Sequence, residues 1–140
     1  MKKIINTTDA KKVFLKLKKK KKKLVLCHGV FDLLHLGHIT HLEKAKLLGD
    51  VLIVSITGDK FVNKGPGRPV FNQVDRAKVI SSLKMVDFVI IDNNATAIKL
   101  FSIIKPDFYC KGSDYKNHDD DITGEIKNEI NALKKVGGKI

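Results

Sequence analysis

The sequence predicts an α/β fold: a single Rossmann-like domain built on a doubly wound parallel sheet with strand order 3-2-1-4-5. Three observations carry this. Short apolar runs at 24–28, 51–56, 88–91 and 108–110 have strand length and β-branched or aromatic content. They alternate with stretches in which apolar residues recur every three or four positions, so each strand is joined to the next through a helix. The first run also breaks at Gly29 and leads straight into a helical pattern. Strands linked by helices require right-handed crossovers, which make the sheet parallel and cover both its faces.

In chain order, Thr7, Thr8 and Asp9 form an N-cap cluster, and Val13, Phe14 and Leu17 an apolar stripe. A first helix over 9–20 is expected, with the lysine run 18–23 at its C-terminal end, where cations oppose the dipole. Residues 1–23 are thus an N-terminal helix and basic run, and 24–140 the domain proper, with no linker inside it. After strand one at 24–28, Ile39, Leu42, Ala45 and Leu48 trace a helix ended by Gly49. Strand two, 51–56, closes at Thr57, Gly58 and Asp59, and Lys64, Gly65, Pro66, Gly67, Arg68 and Pro69 make a basic loop. Val74, Ala77, Ile80 and Leu83 mark the next helix, before strand three. Asn93 or Asn94 caps a helix through Ile98, Phe101 and Ile104 that stops before Pro106. Strand four is 108–110. Ile122, Ile126, Ile130 and Leu133 trace a last helix, closed by Gly137 and Gly138 before a fifth strand opens at 139–140.

Composition bounds the function. A chain of 140 residues supports one hydrophobic core. No stretch has the pattern of a signal peptide or the length of a bilayer span, so a cytoplasmic chain without membrane contact is expected. Cys27 and Cys110 both fall in apolar strands and are expected to be reduced core thiols. The net charge is +12, from 27 Lys and Arg against 15 Asp and Glu, yet much of the excess lies in the single run 18–23. Aromatics are only 6% and Trp is absent, so no stacking platform for nucleic acid is evident and no specific nucleic-acid partner is expected. A positive field also suits an enzyme whose substrates are nucleoside triphosphates and phosphorylated acceptors.

The chemistry concentrates in 29–38, GVFDLLHLGH. A strand, a glycine turn and a helix start present backbone N–H groups and a partial positive charge to an anion. His35 and His38 lie three apart around Gly37, so both rings can reach one phosphate while the glycine lets it approach the backbone. His28, His35, His38 and His41 also invite a zinc reading. Zinc wants four convergent ligands, however, and His28 lies in a strand while His41 is a helical turn beyond His38, so no metal-binding protein ligands are assigned.

GVFDLLHLGH, followed in order by a GD unit after strand two, an RP segment and KGSDY at 111–115, resembles the HxGH-type nucleotidyltransferases of the cytidylyltransferase-like superfamily. The KGSDY form is closest to the heptose phosphate adenylyltransferases. The resemblance implies attack of an acceptor phosphate on the α-phosphorus of a nucleoside triphosphate, with Mg²⁺ bound mainly through the phosphates and pyrophosphate released. On its residues, His35, His38 and Lys64 are catalytic. Gly29, Val30, Phe31, His35, Gly37, His38, Lys111, Gly112 and Asp114 bind the nucleotide, and Asp32, Asp59, Arg68 and Arg76 face the acceptor. Adenylyl transfer to a heptose-type sugar 1-phosphate is the expected reaction. The alternatives are CTP-dependent transfer to glycerol phosphate or a related polyol or amino alcohol phosphate, and a nucleotide-binding module without catalysis. The last arises because 24–140 stops before the Ser/Thr-rich motif with which the family completes its triphosphate pocket. Dimers are common in the family, so a homodimer is open.

Overall fold

The structure, a computed structural model, describes residues 3–62, 66, 67, 69–94, 97–110 and 131. Within them the chain runs α1 (Thr7–Lys19), β1 (Leu24–Gly29), α2 (Leu36–Lys46), β2 (Val51–Thr57), α3 (Gln73–Ser81), β3 (Phe88–Asp92), α4 (Ile98–Ile104) and β4 (Phe108–Cys110), with a 3₁₀ turn at Asp59–Phe61. All the strands are parallel, in the order β3-β2-β1-β4. That is the expected order for the first four strands. The last helix, apart from Asn131, and the fifth strand lie outside the described residues.

Alternate strand residues face opposite layers. On one face Leu24, Leu26, Ile53, Ile90 and Tyr109 pack against Ala10 and Phe14 of α1 and Leu100, Phe101 and Ile104 of α4. On the other, Val25, Cys27, Leu52, Val54, Ile56 and Val89 pack against Leu42 and Ala45 of α2 and Ala77 and Ile80 of α3. The N-terminal segment is therefore part of this core, and Ile4 adds a parallel bridge to Val89 of the edge strand β3. Among the described residues no helix is long and apolar enough to cross a membrane.

Several local expectations shift. Asn6 rather than the Thr7 cluster caps α1, its side chain accepting from the Asp9 N–H at 2.8 Å. The helix ends in two bonds, from the Lys22 N–H to the Leu17 carbonyl and from the Lys21 N–H to the Lys18 carbonyl, with Lys21 left-handed at φ 61°. This is a Schellman close with lysine where glycine is usual. On α3, Val74 is exposed and Arg76 takes the inward position beside Ala77 and Ile80, because the inward side of that helix meets polar strand ends as well as apolar core. Leu48, expected on the buried stripe of α2, is largely exposed because the helix has already ended at Lys46. Neither Asn93 nor Asn94 caps α4: Ala97 precedes it without a capping side chain, and the Asn94 amide donates to Asp92 instead.

Three aspartates pin the amino ends of the sheet. Asp107 accepts from the Leu24 N–H, Asp50 from the Lys23 N–H and Asp87 from the Leu52 N–H, each at 2.8 Å. Lys18 and Lys46 pair with Asp107 and Asp87. These acids serve the fold, and the carboxyl ends of the strands are left for a site.

Candidate active site

β1 ends at Gly29 and α2 begins at Leu36, so the turn between them sits beyond the carboxyl edge at the centre of the sheet. His35 is the N-cap of α2, in extended backbone. The Gly37 N–H donates to His35 Nδ1 at 3.0 Å, and the His35 N–H donates to His38 Nδ1 at 3.2 Å. The result is a reciprocal cap made of two imidazoles whose ring centroids are 4.0 Å apart. With each Nδ1 accepting, each neutral ring carries its hydrogen on Nε2 and can donate from that edge.

The two motif glycines make room for aromatic rings. A Cβ on Gly37 would lie 2.7 Å from His35 Cε1, so only glycine lets that ring fold back onto the helix start. A Cβ on Gly29 would lie 3.0 Å from the Phe31 ring. Phe31 is left-handed at φ 50°, is nearly buried, and meets His38 edge-on at 5.7 Å. Such a conformation for a bulky residue costs about 1–3 kcal/mol, and it wedges the turn beneath the imidazoles.

Asp32 and Arg76 brace the turn. Both Asp32 oxygens accept backbone N–H groups, from Val70 at 2.7 Å and Phe71 at 2.9 Å, which ties the turn to the residues just before α3. Arg76 is 1% exposed. Its guanidinium donates to the carbonyls of Phe71, Val30 and Thr57 and to Asp59 Oδ1, at 2.9, 2.8, 2.8 and 2.6 Å. One side chain thus joins the turn after β1, the end of β2 and the start of α3. Arg76 was expected to face the acceptor; buried and bonded in this way, it acts as a brace. Asp59 lies at the end of β2 as its partner.

The predicted residues Gly29, Val30, Phe31, Asp32, His35, Gly37, His38, Asp59 and Arg76 are therefore gathered around the carboxyl end of β1. Lys64, Arg68, Lys111, Gly112 and Asp114 lie outside the described residues. β4 does run beside β1, with Cys110 paired to Cys27 in register. The two thiols are free, and the hydrogen bond with Cys110, followed by burial, pushes the Cys27 thiol well up, so it keeps its proton. Among the described residues no three His, Cys, Asp or Glu converge as metal ligands.

A group that the motif reading passed over lies on the α1/α4 face. There β1 changes from Leu24 and Leu26 to His28, β2 from Val51 and Ile53 to Ser55 and Thr57, and β3 from Phe88 and Ile90 to Asp92. His28 Nδ1 and Ser55 Oγ are 2.7 Å apart, and Thr57 Oγ1 and His28 Nε2 3.4 Å. The signal was available: in each strand a polar residue stands where the period of two calls for an apolar one.

The parallel sheet covered on both faces and the two facing imidazoles at the helix start after β1 define a candidate anion site at the carboxyl edge of the sheet. The family model described as cytidylyltransferase-like matches residues 26–138, and the chain belongs to that family. It is similar to the bifunctional protein HldE of a Nitratiruptor species, at 44% identity over 125 residues covering 88% of this chain and 27% of that protein. The HldE of Helicobacter pylori is 40% identical over 81% of this chain and 26% of its own length. The chain thus spans about a quarter of the length of these curated relatives. Among solved structures, the lipopolysaccharide core biosynthesis protein of Thermoplasma volcanium superposes with a TM-score of 0.69 at 32% identity, covering 85% of this chain and 92% of that one. Pantoate-beta-alanine ligase from Francisella tularensis, at TM-score 0.67 and 21% identity over 98% of this chain and 65% of its own, shares the fold.

Proposed function

We propose that the chain transfers an adenylyl group from ATP to a heptose-type sugar 1-phosphate. An acceptor phosphate oxygen attacks the α-phosphorus, a new P–O bond forms, the bond to the β-phosphate bridging oxygen breaks, and pyrophosphate leaves with the electron pair. The acceptor oxygen is already anionic near neutral pH, so the site needs no strong base. It needs orientation and donors aimed at developing charge. The observation that carries the reading is the imidazole pair. Each Nδ1 is tied to backbone, so each ring is oriented, with its Nε2 edge turned away from that bond at the N-terminus of α2. Positions fixed before substrate arrives lose little in reorganisation when the reaction occurs.

The acceptor class rests on likeness. The 40–44% identity is to one part of a bifunctional protein, and a structural relative is a lipopolysaccharide core biosynthesis protein. KGSDY at 111–115 has the spelling of the heptose phosphate enzymes. Lys64 and Arg68 from the loop, and Lys111, Gly112 and Asp114 after β4, complete the proposed pocket. Mg²⁺ belongs to this reading as charge neutralisation brought with the triphosphate. Among the described acids at the site, Asp32 has both oxygens on backbone N–H groups and Asp59 pairs with Arg76, so the phosphates would supply most of its ligands.

The test crosses ATP, CTP, GTP and UTP with a heptose 1-phosphate, glycerol 3-phosphate and an amino alcohol phosphate, and scores pyrophosphate and the diphosphate-linked product. The expected result is product from ATP with the heptose phosphate. Product from CTP with glycerol phosphate would replace both substrates in this reading.

A further inference from the structure

We infer that His28, Ser55, Thr57 and Asp92 form the part of the pocket that reads the hydroxyl groups of the acceptor, with Asp92 the residue that fixes which hydroxylated acceptor is taken. This rests on the sugar phosphate reading of the same site and adds its specificity element.

The strand pattern is the first support. On the α1/α4 face, β1 and β2 turn from apolar to polar at the paired His28 and Ser55, and β3 turns one step further along, after Ile90, at Asp92 beside Thr57, whereas the opposite face stays apolar through Cys27, Ile56 and Ile91. His28 is in register with Ser55, and Thr57 with Asp92, so the row is continuous across β1, β2 and β3. It opens at half-buried His28, runs over the buried hydroxyls of Ser55 and Thr57, and ends at fully buried Asp92.

The second support is Asp92 itself. Its Oδ1 accepts from the Asn94 amide at 2.8 Å, while Oδ2 is buried with no hydrogen-bond partner. Buried polar oxygens are ordinarily bonded, and an exception requires an explanation. Its strand neighbour Thr57 does not supply the bond: Thr57 Oγ1 faces His28 and the Gly29 carbonyl. Burial raises the Asp92 carboxyl, against the opposing pull of Asn94 and Lys99, so no strong cation neutralises it. A ligand hydroxyl is the group that suits this oxygen, because a hydroxyl can donate to a carboxylate or accept from a carboxylic acid.

Charge then sets the ligand's direction. The row has an imidazole, two hydroxyls and a carboxyl but no Lys or Arg, so it lacks the positive charge that favours a phosphate, and its carboxylate end repels one. The helix N-terminus with His35 and His38 favours anions. From β1 to β3 is two strand spacings, about 10 Å. A sugar phosphate with its phosphate at the imidazoles would lay its ring and exocyclic hydroxyls along the row toward Asp92.

The experiment titrates the full 140-residue chain calorimetrically with ATP, with a heptose 1-phosphate and with monodeoxy analogues of that sugar, comparing wild type, Asp92→Ala and Asp92→Asn. Asp92→Ala should weaken the parent sugar phosphate at least about tenfold and leave ATP unchanged, with Asp92→Asn between. One monodeoxy analogue should bind wild type more weakly by a similar factor and be indifferent to Asp92→Ala. Unchanged sugar affinity in the variants, equal losses for ATP and sugar, or deoxy analogues that all bind wild type like the parent would overturn the inference. If wild type binds and adenylylates the sugar phosphate but Asp92→Ala does so equally well, the inference falls and the function stands. If wild type binds ATP but no sugar phosphate, both fall.

Discussion

A single methyl group at residue 37 would undo the imidazole pair. The Gly37→Ala Cβ would sit inside van der Waals contact of His35 and force the ring off the helix start, while the backbone itself is helical and tolerates alanine. Pyrophosphate release should fall in Gly37→Ala by at least about tenfold with little loss in thermal stability. His38→Ala should lower kcat by about two orders of magnitude, the scale of a lost transition-state donor. Equal turnover in either variant would remove the pair from the chemistry. Asp92 gives a prediction of stability. Burial raises its folded pKa above the usual carboxylate value, so the folded chain holds this proton more tightly than the unfolded chain. The stabilising contribution is present below the ordinary pKa and is lost as pH rises through the raised one. Asp92→Asn should therefore be more stable than wild type at pH 7, by about 1–3 kcal/mol, and the difference should shrink at pH 3; thermal melts at the two pH values check both signs. The HxGH spacing was legible because glycine and histidine are informative types. Arg76 was less legible, since sequence gives an arginine no mark that separates a charge facing an acceptor from a buried brace.

At the scale of elements, the turn after β1 has no regular structure and keeps its shape through its own Asp32, which reaches out to Val70 and Phe71, and through Arg76 contributed by α3. Arg76→Lys retains a charge but cannot reach four acceptors with a planar fork, so it should lower stability by about 3 kcal/mol or more and raise the KM for ATP. A melting temperature within a degree of wild type would show that the brace is dispensable. The close of α1 predicts the opposite sign. Lys21 is left-handed and exposed, so Lys21→Gly should stabilise by about 1 kcal/mol in denaturant melts. Strand and helix order was readable because apolar periods of two and 3.6 are set by the core. Caps were less so: Asn6, Thr7, Thr8 and Asp9 are all competent, and the bond from the Asp9 N–H to Asn6 decides among them only in three dimensions.

For the whole molecule, the sheet sorts charge and task along the strand axis. Asp50, Asp87 and Asp107 anchor the amino ends, the last two with lysine partners, and the imidazoles, the Arg76 brace and the His28 to Asp92 row occupy the carboxyl ends. The order β3-β2-β1-β4 is one of the orders that alternation and right-handed crossovers allow, and the motifs that follow strands one and four favoured it because it makes those strands neighbours. The polar row could not be read as one object, because its members are 64 positions apart, from 28 to 92, and meet only through strand register. The central claim is that the site directs an acceptor phosphate onto the α-phosphorus of a nucleotide. Its most direct test is to supply ATP labelled with ³²P at either the α or the γ position, together with a heptose 1-phosphate, and to follow the label. The α label should enter the sugar product, the γ label should leave as pyrophosphate, and both should fail with His38→Ala. A γ label found on the sugar, or α transfer that survives His38→Ala undiminished, would contradict the account.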